Sequence, residues 1–238
     1  MTAAGSALVF LIRGRIGEKA QRLCLGFAGG VMSAAAVFSL LLPAMEQLGA
    51  EGRNASLTVT IGFLLGAGMV AALDAALRRM ERIRQAGDAV RKRILLFCAV
   101  TLHNIPEGMA VGLAFALASG GDCAALAGAW VLALGIGAQN FPEGAALSLP
   151  LRQGGMSRKR SFFLGAASGL AEPLSAVIVV FLAGLLAPAM PFLMAFSAGA
   201  MMLVTFSEMF PLSTGQQDGA AAAVTGYVLM MAMDLMLS

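Results

Sequence analysis

Apolar stretches of about 20 residues recur along the whole chain, and this is the length that a helix needs to cross the hydrocarbon core of a bilayer. Short polar stretches separate them. The pattern therefore predicts an all-α, polytopic membrane protein in which residues 1–238 form a single transmembrane domain. The eight predicted segments are 1–12, 23–48, 55–77, 94–118, 123–150, 161–187, 190–212 and 219–238.

The first segment is shorter than the others. Its twelve residues rise only about 18 Å as a helix. A bilayer core is about 30 Å thick, so seven segments are long enough to span it and the first is not. Either Met1 is an internal start within a longer natural product, or the first helix is a half-span. We favour the first explanation, in which the first helix is truncated.

The lysine and arginine residues predict an orientation. Fifteen of the sixteen lie in three connections, namely those between segments 1 and 2, 3 and 4, and 5 and 6. Only Arg53 lies in a connection on the other side. Because cytoplasmic loops are enriched in Lys and Arg, we expect these three connections in the cytoplasm and both termini outside it. The expected location is the cell (cytoplasmic) membrane, as a multi-pass protein.

The composition excludes several other classes of protein. The chain is 59% hydrophobic and 12% charged, whereas a soluble domain carries about 25% charged residues. Its single Trp, Tyr and His argue against a nucleic-acid-binding module or a zinc finger, so no nucleic-acid partner is expected. The three cysteines have no CxxC spacing and lie in or beside apolar segments, which indicates small buried hydrophobes.

Segment 4 carries the motif HNIPEG, which runs from His103 to Gly108. His103 and Glu107 are four residues apart, so they share one face of a helix. Pro106 lacks an N–H and clashes with the carbonyl of Leu102, so the helix is expected to kink and to free that oxygen. A carboxylate inside a membrane is costly and usually functional.

Segment 5 repeats the arrangement 36 residues later as QNFPEG. Gln139 and Glu143 share a face, and Pro142 frees the carbonyl of Ala138. If both kinks lie at similar depth, the side chains on the two faces can surround one cation. This first candidate set is His103, Glu107, Gln139 and Glu143.

A second cation could be bound beside the first and bridged by the two glutamates. Asn104 and Asn140 would offer amide oxygens to it, and Glu172, which lies beside Pro173 in segment 6, could complete the set. A structural role for Glu172 as a buried acid stays open. One imidazole with several oxygens suits a borderline divalent ion such as Zn²⁺, and also Fe²⁺, Mn²⁺ or Cd²⁺. No organic cofactor is expected.

Further polar residues are candidates for an ion pathway. Met32, Ser39 and Glu46 recur every seven residues and form one stripe toward the outer membrane face, where Glu46 would attract cations. Core packing is the alternative for Met32. Glu208 lies near a membrane face, where a solvated helix cap and a pathway role are both open, and Asp234 is a weaker candidate.

These motifs resemble those of the ZIP (Zrt/Irt-like) family of divalent metal transporters. HNIPEG, QNFPEG and SGLAEP look like its signature stretches, and QNFPEGAALSLPLR is most similar to the bacterial GufA-like branch. The likeness covers essentially the whole chain. It implies an eight-helix bundle of inverted repeats, with a binuclear metal centre between the fourth and fifth helices.

The resemblance also implies residue roles and a function. It assigns His103, Glu107, Gln139 and Glu143 to the first metal site, with Met32 nearby, and Asn104, Glu107, Asn140, Glu143 and Glu172 to the second. It places Ser39, Glu46, Glu208 and Asp234 along the outer approach. It implies uptake of a divalent metal, zinc above all, toward the cytoplasm by alternating access, in a homodimer without enzymatic activity.

One departure from the family pattern bears on the number of ions. Position 140 is Asn where some relatives have an acid, so the three glutamates supply a charge of only −3 when ionised. This is enough for one divalent ion but not for two, and we expect one tight and one weak ion. Two alternatives stay open, an intramembrane metal-dependent hydrolase and a membrane metal sensor that does not translocate. A single His argues against the hydrolase.

Overall fold

The protein is all-α, as its sequence predicts, and every described element of this computed structural model is helical. The structure describes residues 1–11, 17–52, 54–80, 83, 85, 87–118, 123–213 and 215–237. Arg53 and several basic residues of the other connections lie outside this description. The side chain of Gln139 also lies outside it, although its backbone is part of a described helix.

Eight helical segments follow one another along the described part of the chain. They are α1 (Thr2–Ser6, continued by a 3₁₀ turn, Ala7–Phe10), α2 (Glu18–Ala50), α3 (Ala55–Arg79), α4 (Asp88–Ala118), α5 (Cys123–Gln153), α6 (Arg158–Ser168 and Ala171–Leu186), α7 (Met190–Val204, Thr205–Met209 and Phe210–Ser213) and α8 (Gln217–Leu237).

Six stretches of these helices are long and apolar enough to cross a membrane, judged by length and composition within the described residues. They are Glu18–Ala50, Ala55–Arg79, Asp88–Ala116, Arg158–Leu182, Ala187–Met209 and Gln217–Met236. The α5 helix, another segment expected to span, is 31 residues long. The chain is therefore a polytopic helical membrane protein.

Polar side chains mark where two of the helices begin. The side chain of Asn54 accepts a hydrogen bond from the backbone N–H of Leu57 at the start of α3. The hydroxyl of Ser157 accepts one from the N–H of Arg160 at the start of α6. Each side chain satisfies a backbone donor that has no partner within the first helical turn.

Prolines widen two helices without ending them. In α2 the stretch Ala36–Leu41 is π-helical and lies just before Pro43, and in α7 the stretch Thr205–Met209 is π-helical and lies just before Pro211. Proline cannot donate the hydrogen bond that an α-helix requires four residues back, so the turn before it can open to the wider form.

Pro106 lies inside α4, which continues through it. Because proline has no N–H, the carbonyl oxygen of Leu102 lacks a donor within its own helix. The hydroxyl of Ser197 in α7 donates to that oxygen at 2.9 Å, and Ser197 is 3% exposed. A neighbouring helix therefore satisfies the oxygen that the sequence predicts to be free, immediately before His103.

Replacing Ser197 with Ala is expected to lower the free energy of unfolding by about 1–2 kcal/mol, because the buried oxygen of Leu102 loses its donor. For a chain of this length, that corresponds to a fall of about 2–8 °C in the melting temperature of the detergent-solubilised protein. Ser197→Thr, which keeps a hydroxyl, should recover most of the loss. Ser33→Ala is the control, since the Ser33 hydroxyl bonds the Gly29 carbonyl of its own helix. Equal shifts for Ser197→Ala and Ser33→Ala would contradict the assignment.

The helices associate in pairs that reveal an internal repeat. The α1 helix contacts α5 and α6 contacts α4, while α2 contacts α8 and α7 contacts α3. If α1, α2 and α3 are taken as equivalent to α6, α7 and α8, and α4 as equivalent to α5, each pair has a counterpart. The α1–α5 pair corresponds to α6–α4, and the α2–α8 pair corresponds to α7–α3. Repeat partners are separated by an odd number of crossings, so they run in opposite directions. The two π-helical stretches occur in α2 and α7, which are repeat partners.

Glycines bring the central helices close to their partners. A Cβ on Gly108 of α4 would overlap the carbonyl oxygen of Glu172 in α6, and a Cβ on Gly144 of α5 would overlap that of Thr2 in α1. Only glycine permits such backbone contact between helices. Each of the two central motifs therefore ends on a residue that sets the distance to a flanking helix.

Candidate metal centre

Three side chains meet in the middle of the bundle, His103 and Glu107 from α4 and Glu143 from α5. The Nε2 atom of His103 lies 3.2 Å from Oε1 of Glu107 and 3.2 Å from Oε1 of Glu143. The three side chains are at most 3% exposed. In the described part of the chain, their ligand atoms form a cluster within 4.8 Å that could bind a metal ion.

The geometry of this cluster fits a small divalent cation. Zinc binds nitrogen and oxygen ligands at about 2.0–2.2 Å, so neighbouring ligands of a tetrahedral ion lie about 3.3–3.6 Å apart. The two distances from His103 Nε2 are close to this spacing. The set has two carboxylates and one imidazole, and a divalent cation would compensate the charge that burial makes costly.

Two asparagines lie beside this cluster with their amide oxygens available. Asn104 donates through Nδ2 to the carbonyl oxygen of Ser168 at 3.0 Å, and Asn140 donates through Nδ2 to Glu172 at 2.5 Å. These bonds fix the orientation of each amide, so that Oδ1 points away from the oxygen to which Nδ2 donates. Both Oδ1 atoms and Oε2 of Glu143 are buried, and none of the three has a hydrogen-bond partner among the described residues. Buried oxygens without donors are the acceptors that a cation would satisfy.

Glu172 lies in the first turn of the second half of α6, after the interruption at Gly169 and Leu170. Its Oε1 accepts a hydrogen bond from the Thr2 hydroxyl at 3.2 Å, and its Oε2 accepts the bond from Asn140. Glu172 is therefore a hydrogen-bond partner of Asn140, which lies beside the cluster. Thr2 is not among the residues that the sequence predicts at this site, because it is uncharged and belongs to a segment too short to span.

A cavity of about 390 Å³ reaches the cluster from the end of the bundle away from Arg91 and its neighbours. Glu107 and Pro106 form its floor, and Ser39 and Asp234 form part of its wall. The hydroxyl of Ser39 donates to Oδ1 of Asp234 at 3.0 Å. Two of the four residues expected on the outer approach therefore line the same cavity as Glu107.

The structure places the remaining candidates as follows. Glu46 is exposed near the end of α2, one residue before Gln47 of the cavity wall. Met32 is fully buried in an apolar cluster that includes Ala99 and Val100, one turn before His103. The side chain of Gln139 lies outside the described residues, so its predicted role as a ligand stays a prediction.

Glu208 lies apart from the other pathway candidates. Its carboxylate lies 3.6 Å from Arg91 and 2.9 Å from Lys92, at the start of α4 and opposite the end where Glu46 lies. Arg91 is 4% exposed and also pairs with Asp74 and Asp88. Helix α7 runs back toward the basic connections, which brings Glu208 to this end of the bundle. Glu208 therefore belongs to an ion-pair cluster around the buried Arg91, and its role in an ion pathway stays a prediction.

Residues 74–234 match the protein family described as ZIP Zinc transporter. This is more than half of the chain. The chain belongs to the ZIP family. Zinc transporter GufA of Myxococcus xanthus is 34% identical over 99% of this chain and 95% of its own length. Zinc transporter ZIP11 of Homo sapiens is 32% identical over 99% of this chain and 93% of its own length. Zinc transporter ZIPB of Bordetella bronchiseptica is 37% identical over 98% of this chain and 76% of its own length.

The similarity predicted from HNIPEG, QNFPEG and SGLAEP is thereby confirmed at the level of the family. Membership in the ZIP family identifies the protein as a membrane transporter of metal ions and not as an enzyme. The hydrolase alternative is removed by the same comparison.

Proposed function

We propose that this ZIP protein takes up zinc, moving the ion from the outer side of the membrane toward the cytoplasm. The observation that carries the proposal is the buried cluster of His103, Glu107 and Glu143 at the floor of a cavity. Gln139 is the fourth ligand of this first site in the proposal. The relatives named above are described as zinc transporters, which supports zinc as the cargo, with Cd²⁺, Fe²⁺ and Mn²⁺ as further candidates.

In the proposed path, a hydrated ion enters the cavity past Glu46 and meets Ser39 and Asp234 before it reaches Glu107. It then exchanges water for the imidazole and the two carboxylates. Metal and proton compete for the same carboxylate oxygens, so protonation of a glutamate would favour release. The charge distribution supports this direction, because the cavity lies at the end of the bundle away from the basic connections, which are proposed to be cytoplasmic with both termini outside.

The second ion in this proposal is weaker than the first. Its ligands are Asn104, Asn140 and Glu172, together with the bridging glutamates Glu107 and Glu143. The Oδ1 atoms of the two asparagines, which have no partner within the described ranges, support it. Because both asparagines are neutral, a second divalent ion would leave a net positive charge in a buried site, which is costly.

The helix pairs support alternating access as the mechanism. The α4 and α5 helices, which hold the cluster, are closely joined to α6 and α1, while α2, α3, α7 and α8 form pairs among themselves. A movement of the first group against the second would open the cluster to the other side.

We also propose a homodimer, and exposed apolar side chains on α5, among them Trp130 and Leu134, offer a surface for a second copy within the bilayer.

The test is uptake of radioactive zinc into liposomes that contain the purified protein, with Cd²⁺, Fe²⁺ and Mn²⁺ as competitors. We expect saturable uptake that depends on external zinc, and protein-free liposomes are the control. Zinc binding without uptake would overturn the proposal in favour of a metal sensor. Uptake that proceeds only for ions other than zinc would overturn the assignment of the cargo.

A further inference from the structure

The hydroxyl of Thr2 is inside the bundle and bonds a carboxylate of the metal centre. Thr2 is 4% exposed, and its Oγ1 donates to Oε1 of Glu172 at 3.2 Å. The two residues are 170 positions apart, so this bond joins the first helix to the sixth. A threonine hydroxyl in a helix commonly bonds its own backbone, and here it bonds a charged side chain of another helix instead.

The other carboxylate oxygen of Glu172 is also bonded. Asn140 donates to Oε2 through Nδ2, which leaves its Oδ1 buried without a partner in the described part of the chain. Thr2, Glu172 and Asn140 therefore form a chain of two hydrogen bonds across α1, α6 and α5, which we call the Thr2 clasp. Each carboxylate oxygen keeps a second lone pair, so both remain able to bind a cation.

The repeat explains why Thr2 occupies this position. Gly108 of the first motif contacts the backbone of Glu172, and Gly144 of the second motif contacts the backbone of Thr2. Thr2 in α1 is therefore the repeat equivalent of Glu172 in α6. One repeat supplies a carboxylate beside the metal centre, and the other supplies a neutral hydroxyl that bonds this carboxylate.

We propose that Thr2 is a positioning residue for the second cation, and this inference rests on the proposed two-ion centre. Its hydroxyl holds the carboxylate of Glu172 in place, and this carboxylate in turn orients the amide of Asn140. Glu172 and Oδ1 of Asn140 are therefore in position before the second ion binds. Without the hydroxyl, the carboxylate of Glu172 gains rotamer freedom, and the second ion must order it on binding. The first ion, bound by His103, Glu107 and Glu143, does not require this ordering.

The test is titration of the purified, metal-free protein with Zn²⁺ in detergent, which resolves a tight and a weak binding step. Thr2→Val has nearly the same shape and lacks the donor, so we expect it to weaken the second step about ten- to hundredfold, as for loss of a hydrogen bond to a charged group. The first step should change less than about twofold. Thr2→Ser keeps the hydroxyl and should restore the second step.

Thr205→Val is the matched control. Thr205 is buried like Thr2, and its hydroxyl bonds the Met201 carbonyl one turn earlier in its own helix. It should leave both binding steps unchanged. Melting temperatures of all variants show whether they are folded, and if Thr2→Val does not fold, Thr2→Ala replaces it.

Three results would overturn the inference. The first is an unchanged second step in Thr2→Val, and the second is equal weakening of both steps, which indicates a merely structural role. The third is the absence of a second step in the wild-type protein. The binding titration is independent of flux, so a protein that binds two ions but takes up no zinc would refute the proposed transport and leave the role of Thr2 intact.

Discussion

Glu143→Gln should abolish zinc uptake, with a loss of more than about a hundredfold, while the protein stays folded. The amide has the same shape as the carboxylate, but it lacks the charge that compensates the cation. Removing one partner of a buried charged pair costs about 3–5 kcal/mol, and this sets the expected magnitude. His103 and Glu107 would remain 3.2 Å apart with a single carboxylate to neutralise the ion. The measurement is initial uptake of radioactive zinc into proteoliposomes at matched protein content.

Glu51→Gln is the control for this variant. Glu51 is exposed, and its carboxylate accepts a hydrogen bond from Gln47 four residues earlier. It should transport at the wild-type rate. Wild-type uptake by Glu143→Gln would refute the role of the central cluster. A melting temperature far below that of the wild type would instead mean that the carboxylate holds the fold together.

Gly108→Ala should prevent the protein from reaching its native packing. The added Cβ would overlap the backbone of Glu172, and a helix backbone cannot move aside as a flexible side chain can. Overpacking in a core costs about 1–3 kcal/mol, and a contact with backbone belongs at or above the upper end of that range. We expect little monodisperse protein after solubilisation, or a melting temperature lower by about 10 °C or more.

The same substitution at Gly68 provides the matched control. Gly68 lies within α3, and a Cβ there would meet no atom within 4 Å. Alanine favours the helix by about 0.5–1 kcal/mol over glycine, so Gly68→Ala should be as stable as the wild type or slightly more so. If the two variants behave alike, close contact at Gly108 does not limit the packing of α4 on α6.

The sequence predicts the helical architecture well, because an apolar stretch that crosses lipid must satisfy its backbone hydrogen bonds internally, as an α-helix does. It also predicts which residues of α4 and α5 meet, since a spacing of four residues fixes their shared face and a carboxylate in lipid requires a partner. His103 and Glu107 illustrate both effects.

Contacts between distant helices were harder to predict. Nothing near Thr2 or Ser197 in the sequence indicates that their hydroxyls bond groups 170 and 95 positions away. Glu208 is a different case, because the alternating directions of the helices already place it beside the basic connections.

The π-helical stretch in α2 has a consequence for how this helix can vary. A single widened turn acts as a one-residue insertion, which rotates everything beyond it by about 100° around the helix axis. Before the stretch, α2 is matched to its partner α8, and beyond it Pro43 and Gln47 line the cavity. The part of α2 before the stretch is therefore constrained by its packing on α8, and the part beyond it by the cavity that it lines. Substitutions beyond the stretch can reshape the mouth of the cavity without disturbing the register of the part of α2 that precedes it.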